Sequence, residues 1–171
     1  MKGSQFQLVY PYTKPPCSQK GMKISMQQNN PDIQLLNDIY KNSQMGRKTL
    51  EEITELTEDT KFLEVLQKHR DWYTQLNDEA SILLRSHGEE PKGTGMWDDV
   101  SASLMIKVNT LTDRSPSHLA QMLVQGSSMG IVDIQKQLNQ QENTTDQNIL
   151  KLAKKLLDGE EKNVETLKKF L

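Results

Sequence analysis

The chain has 171 residues, which is typical of one domain, and 35% of them are hydrophobic while 26% are charged. A formal net charge of −2 gives no field to attract nucleic acid or an anionic membrane, so we expect neither as a partner. Cys17 is the single cysteine, which excludes a disulfide framework and a cysteine metal cluster. No apolar run approaches the roughly 18 residues of a membrane helix. These features favour a cytoplasmic protein.

The N-terminal residues 1–30 are predicted to be a disordered tail. They hold three of the six prolines and sustain no hydrophobic period. Three interpretations stay open: an ordinary flexible tail, extraneous residues upstream of a true start at Met22 or Met26, or a partner-binding peptide around Phe6, Tyr10 and Tyr12. Residues 31–171 are predicted to form the folded domain.

Two helices with a short link are predicted first. Asn30-Pro31 supplies a cap and a first-turn proline for helix A, which should end near residues 57–59. Helix B should end at His87-Gly88, since a last-turn histidine and a following glycine are typical of a helix end. Both helices carry inward-facing positions spaced three and four residues apart. These are Leu36, Ile39, Ser43, Gly46, Leu50 and Ile53 in helix A, and Phe62, Leu66, His69, Tyr73, Leu76, Ala80 and Leu83 in helix B.

A glycine-rich loop and a short crossover helix are predicted next. Gly93-Thr94-Gly95 completes neither phosphate-binding motif, so a plain connecting loop is favoured. The following residues 96–110 show a helical stripe, which predicts helix C lying against the bundle. Its apolar face is Trp97, Val100, Leu104, Val108 and Leu111.

A second pair of helices is predicted after the crossover. Ser115-Pro116 opens helix D, and Thr144 with Gln147 makes a capping box for helix E. The inner face of helix D is predicted to be Leu119, Leu123, Gly126, Gly130, Ile134 and Leu138. The stripe of helix E is Ile149, Ala153, Leu156, Glu160, Asn163 or Val164, Leu167 and Phe170.

The two pairs of helices look like an internal repeat. Ser43-Gln44-Met45-Gly46 in helix A matches Ser127-Ser128-Met129-Gly130 in helix D, with the apolar register agreeing on both sides. Two similar hairpins joined by a crossover predict a four-helix bundle. Gly126 and Gly130 are four apart on helix D, and we expect them to allow close contact with helix A. A shallow groove or a dimer face is the alternative.

On this pattern the chain resembles the ferritin-like superfamily, and more narrowly the small bacterial ferritin-like bundle proteins of unassigned function. The resemblance covers about residues 31–171 and rests on helix order, the long crossover and short pieces such as Met45-Gly46-Arg47-Lys48-Thr49 and the run Ser117–Gly126. It implies an all-α, ferritin-like antiparallel four-helix bundle of two helical hairpins. Fold alone does not imply function.

The resemblance also raises the question of a di-iron site. Active ferritin-like proteins carry one glutamate on each of two helices and Glu-x-x-His on each of the other two. Here His69 and Glu160 stand at the corresponding level, while Met45 and Met129 occupy places where glutamates would be expected. Methionine is a soft, neutral ligand and cannot balance ferric charge. A di-iron centre is therefore disfavoured.

Two interpretations of this level stay open. His69 and Glu160, with Met45, Met129 or Asn163, could bind a single transition-metal ion or a small organic ligand. Alternatively, His69 and Glu160 form a buried polar pair that fixes helix register, and the methionines fill gaps in the core.

No catalytic residues can be named. The motifs G-x-S-x-G and HExxH are absent, and Cys17 lies in the predicted tail. We therefore expect a protein that is not an enzyme and has no cofactor, acting through a protein partner or as a homo-oligomer. The alternative is a degenerate ferritin-like protein that binds a metal or small ligand near His69 and Glu160.

Overall fold

The computed structural model describes residues 30–92, 112–141 and 146–171. Four α-helices occupy these ranges: α1 (Pro31–Thr54), α2 (Thr60–Ser86), α3 (Pro116–Gln141) and α4 (Gln147–Leu167). A short 3-10 helix, Lys168–Phe170, follows α4. They correspond to the predicted helices A, B, D and E, so the all-α fold is confirmed. The predicted tail before residue 30, the crossover helix 96–110 and Thr144 lie outside the described residues.

Side-chain caps define where α1, α2 and α4 begin. The Asn30 Oδ1 accepts a hydrogen bond from the Asp32 N–H at 3.0 Å, as the sequence predicted for α1. Asp59 caps α2 by accepting from the Phe62 N–H at 2.8 Å. This cap explains why α1 ends at Thr54, before the predicted 57–59, because the link must turn before Asp59. Asp146 caps α4 by accepting from the Asn148 N–H at 2.8 Å.

The helices pack as two hairpins, α1 with α2 and α3 with α4, as predicted. In the first hairpin, the Asn77 amide donates to the Tyr40 carbonyl at 2.9 Å. Further along, Gly46 of α1 lies against the ring of Tyr73. These two contacts show that α1 and α2 are antiparallel.

The second hairpin packs on the first through α4. The Tyr73 hydroxyl meets Glu160 at 2.6 Å, and Glu79 meets Lys155 at 2.5 Å, so α2 and α4 are antiparallel. Since α3 is also antiparallel to α4, helices α2 and α3 point in the same direction. The end of α2 and the beginning of α3 therefore lie at opposite ends of the bundle. None of the described helices has a stretch long and apolar enough to cross a bilayer.

The apolar core consists of two clusters with a polar level between them. The first holds Ile33, Leu35, Leu36, Ile39, Leu76, Ala80, Leu84, Ile134, Leu138, Ile149, Leu150, Leu152, Ala153 and Leu156. The second holds Leu50, Ile53, Phe62, Leu66, Tyr73, Leu119, Ala120, Leu123 and Leu167. Buried Ser43 and Glu160 separate the two clusters along α1 and α4. The middle of the bundle is therefore where polar groups are held away from water.

Two predicted inner-face positions are wrong. On α2 the last buried leucine is Leu84, and Leu83 is only half-buried. On α3, Gly126 is exposed and an added Cβ would meet nothing within 4 Å. The expectation that Gly130 allows close contact with α1 agrees with the structure, because its Cβ would lie 2.9 Å from the Asn42 amide nitrogen.

Candidate functional site

The polar level is centred on a hydrogen bond between Tyr73 and Glu160. The Tyr73 hydroxyl donates to the Glu160 Oε1 at 2.6 Å, and Glu160 is only 2% exposed. Burial raises the pKa of the Glu160 carboxyl, while the Tyr73 and Ser127 hydroxyls act to lower it. Burial beside this carboxyl also raises the pKa of the Tyr73 phenol well above its ordinary value, so it remains a donor.

Two atoms of this level have no hydrogen-bond partner. They are the Oε2 of Glu160 and the Nδ2 of Asn163, which lie on α4 about one turn apart. Asn163 nevertheless lies near enough to the Tyr73 hydroxyl to lower the pKa of that phenol. A buried polar group without a partner carries a desolvation penalty of about 1–3 kcal/mol. The level is therefore a polar network that is only partly satisfied.

Small residues of α1 make room for this network. An ideal Cβ on Gly46 would lie 2.5 Å from the Tyr73 Cζ, so only glycine lets the ring occupy this place. One turn earlier, the buried Ser43 hydroxyl donates to the Tyr40 carbonyl at 2.9 Å and accepts from Asn77 at 3.1 Å. The small residues of α1 thus bring α2 close and aim Tyr73 at α4.

The matching residues of α3 are arranged differently. Gly130 faces Asn42 of α1, across the two hairpins, whereas Gly46 faces α2 within its own hairpin. Met129, predicted to point inward, is 71% exposed, while Met45 on α1 is half-buried. The sequence match between these helices therefore does not place the methionines in equivalent surroundings.

His69 lies one turn from Tyr73 on the same face of α2, but it is not the partner of Glu160. It is 7% exposed and makes no hydrogen bond with any residue that the structure describes. Burial lowers its pKa to about 4, so the imidazole is neutral at physiological pH. Together with Asn163 it lines the floor of a surface groove.

This groove runs along the outer side of α2 and α4 and has a volume of about 1110 Å³. Its lining extends from Val65 to Leu83 on α2, which is about 27 Å at 1.5 Å per residue. Trp72 forms the middle of the wall, where its ring occupies the space that a side chain on Gly159 would need, with Cε2 2.5 Å from an ideal Cβ. Gly159, to which sequence reasoning assigned no role, therefore lets the indole lie over α4.

The groove combines an apolar interior with a basic edge. Val65, Trp72, Ile82, Leu83 and Leu152 supply the apolar surface, and Ile82 remains 64% exposed. Charged residues along the lining are Lys68, Lys151, Lys154, Lys155, Lys162, Glu79 and Asp158. Lysine is therefore in excess here, although the whole chain carries a net charge of −2. Two further acidic residues of α4, Glu161 and Glu165, lie outside the groove.

The described residues include no group of three or more His, Cys, Asp or Glu side chains that could hold a metal ion. Of the residues predicted for such a site, His69 and Asn163 line the groove, whereas Glu160 does not. No family model, curated protein or solved structure matches the chain. The function must therefore be argued from the groove and the polar level themselves.

Proposed function

We propose that this protein is a non-enzymatic binding bundle, and that the groove between α2 and α4 holds an amphipathic helix of a protein partner. The observation that carries the proposal is the shape of the groove with its exposed apolar lining. Two antiparallel helices form a trough about 27 Å long, which matches a helix of about 18 residues. Helix-in-groove binding uses apolar residues at three- and four-residue spacing, and such a stripe fits a trough of this kind.

The size of the groove favours a helix over a small organic molecule. Its volume of about 1110 Å³ exceeds the roughly 300–1,000 Å³ that is typical of small-molecule pockets. A small ligand is also expected to be buried over most of its surface, whereas this trough is open along one side. The buried carboxyl of Glu160 binds Tyr73 and does not line the groove, which favours binding over catalysis.

Peptide selection on the folded protein tests the proposal. A random library of peptides about 18 residues long is selected on the full chain, with Ile82→Glu as the counter-selected variant. Val132→Glu on α3 is the matched control, because Ile82 and Val132 are both β-branched and both 64% exposed. We expect the enriched peptides to carry a helical apolar stripe and to bind the wild type and Val132→Glu, but not Ile82→Glu.

Trp72 gives a direct signal from the groove. In a Trp97→Phe background it is the only tryptophan left, because the chain has two. Saturable change of its emission on peptide addition would support the groove as the binding surface. Enriched peptides that bind Ile82→Glu equally well and leave Trp72 emission unchanged would contradict the proposal.

We also propose that the helices have the ferritin-like arrangement. The parallel directions of α2 and α3 support it, because one long crossover is typical of that arrangement. A second candidate function is binding of a single metal ion near His69 and Glu160, supported by a neutral imidazole that has no hydrogen-bond partner among the described residues. Titration of Fe(II), Cu(I) and Zn(II) into the wild type, His69→Ala and Glu160→Gln tests it. Stoichiometric binding lost in both variants would support this candidate.

A further inference from the structure

Three of the five lysines that line the groove lie toward its two ends, and Lys154 and Lys155 lie between them on α4. Lys68 of α2 and Lys162 of α4 lie on opposite sides of the end whose floor holds His69 and Asn163. Lys151 lies near the other end, where Ile82 and Leu152 form the apolar surface. Lys151 and Lys162 are eleven residues apart on one helix, or about 16 Å.

The acidic residues of the lining offset only part of this charge. Glu79 is paired with Lys155 at 2.5 Å, which leaves Asp158, midway along α4, as the other carboxylate of the lining. A basic edge of this kind on a protein of net negative charge favours an occupant with negative charge. The accessible apolar surface of Trp72 and Ile82 favours an occupant that is apolar between its charges.

We propose that the partner helix is acidic, with carboxylates about eleven residues apart. This proposal rests on the proposed role of the groove. One carboxylate meets Lys151, and the other meets Lys68 and Lys162. The apolar residues between them contact Trp72 and Ile82. Such a helix is amphipathic along one face, and its acidic residues border that face at both ends.

A concave trough favours this occupant over a membrane surface or a nucleic acid. A bilayer is broad and cannot enter a trough between two helices to reach Trp72, which is only partly exposed. Nucleic acid presents a dense row of phosphates, about one per 3.4 Å along each strand, and does not match two basic ends separated by apolar surface. Binding of a membrane surface and binding of a nucleic acid are both measured in the experiment below.

Three designed peptides of about 18 residues test the proposal. All share one apolar stripe, and they differ only at two positions eleven residues apart, which hold Glu, Gln or Lys. Emission of Trp72 in the Trp97→Phe background measures binding to the full chain. We expect the Glu peptide to bind about tenfold more tightly than the Gln peptide, with the Lys peptide weakest. Its advantage should shrink as salt is raised, because exposed charge pairs are screened.

Reversing the charge of groove lysines in the protein is the complementary test. In Lys151→Glu/Lys162→Glu the order should invert, so that the Lys peptide binds most tightly, whereas Lys136→Glu on the exposed side of α3 should leave the order unchanged. Equal binding of all three peptides, still abolished by Ile82→Glu, would overturn the acidic partner and leave the groove proposal standing. Failure of every peptide to bind at Trp72 would overturn both. Stronger response of Trp72 to anionic vesicles or to single-stranded RNA than to the Glu peptide would also overturn the acidic helix.

Discussion

The Tyr73 hydroxyl donates a 2.6 Å hydrogen bond to the Glu160 carboxyl across 87 positions of the chain. It connects the two hairpins at the polar level between the two apolar clusters. Gly46 gives the tyrosine ring its place on one side, and Ser127 brings a second hydroxyl toward the carboxyl on the other. Because an unsatisfied buried carboxyl is costly, this bond defines how α2 and α4 align.

Removing the hydroxyl should therefore destabilise the fold. Tyr73→Phe removes the 2.6 Å hydrogen bond to the Oε1 of the buried Glu160 carboxyl, and we expect a loss of about 1–3 kcal/mol in the free energy of unfolding. Tyr40→Phe is the control, because the Tyr40 hydroxyl makes no hydrogen bond with any residue in the described ranges. Urea denaturation measures both. An equal effect of the two substitutions would show that Tyr73 acts through its ring alone.

Replacing the carboxyl should change how stability depends on pH. The raised pKa of Glu160 means that the folded protein holds a proton that the unfolded chain releases above about pH 4.5. The wild type therefore loses stability as pH rises from 4.5 through the folded-state pKa. Glu160→Gln keeps an acceptor for Tyr73 and has no proton to lose, so it should be more stable than the wild type near pH 7. Near pH 4 the two should be similar.

The control for this experiment is Glu161→Gln, which removes the same charge from the exposed side of α4. Thermal or urea denaturation across the pH range gives the comparison. A Glu160→Gln variant whose stability parallels the wild type at every pH would contradict the assignment of the titrating group.

Much of the fold was predictable because its signals are local. Asn30-Pro31 and Ser115-Pro116 predicted the beginnings of α1 and α3, and the Ser115 hydroxyl does accept from the His118 N–H at 3.3 Å. Hydrophobic spacing identified four helices and most of their buried faces, since that spacing depends only on the 3.6-residue helical repeat.

The errors in the buried faces share one physical cause. A helix has 3.6 residues per turn, so its buried face advances by three residues at some turns and by four at others. The prediction has to select one of these steps at every turn. The prediction chose Leu83 where Leu84 is buried, and Gly126 where Ser127 faces the polar level. Met129 lies about 140° around the helix from the buried Ile134, which explains its exposure.

The partner of Glu160 was not predictable in the same way. His69 and Tyr73 lie on one face of α2, four residues apart, and only the offset between α2 and α4 decides which of them meets the carboxyl. That offset depends on packing, including the space left by Gly46. A signal for the groove was nevertheless present in the sequence, because Gly159 interrupts an otherwise good helix and indicates close approach of a large side chain.

Protonation of His69 should destabilise the fold in acid. Burial lowers its pKa from 6.5 to about 4, so between these values the unfolded chain binds a proton that the folded protein does not. Stability then falls as pH falls through this window, by up to about 3 kcal/mol for this residue at 1.36 kcal/mol per pKa unit.

His69→Phe should remove that part of the acid sensitivity, and His118→Phe in the first turn of α3 is the control. The measured quantity is the difference in unfolding free energy between each variant and the wild type from about pH 7 to pH 4, which cancels the contribution of the carboxylates. A His69→Phe difference that stays constant over this range would contradict a neutral, buried imidazole.

The two glycines Gly46 and Gly126 should respond in opposite ways to the same substitution. Alanine at Gly46 would place its Cβ 2.5 Å from the Tyr73 Cζ and displace the ring that reaches Glu160, so we expect a loss of about 1–3 kcal/mol. Alanine at Gly126 meets nothing within 4 Å and should gain up to about 1 kcal/mol from helix propensity. Urea denaturation distinguishes the two signs. Because both glycines lie inside long helices, propensity alone would stabilise both variants, so a stabilised Gly46→Ala would show that the Tyr73 ring does not need this space.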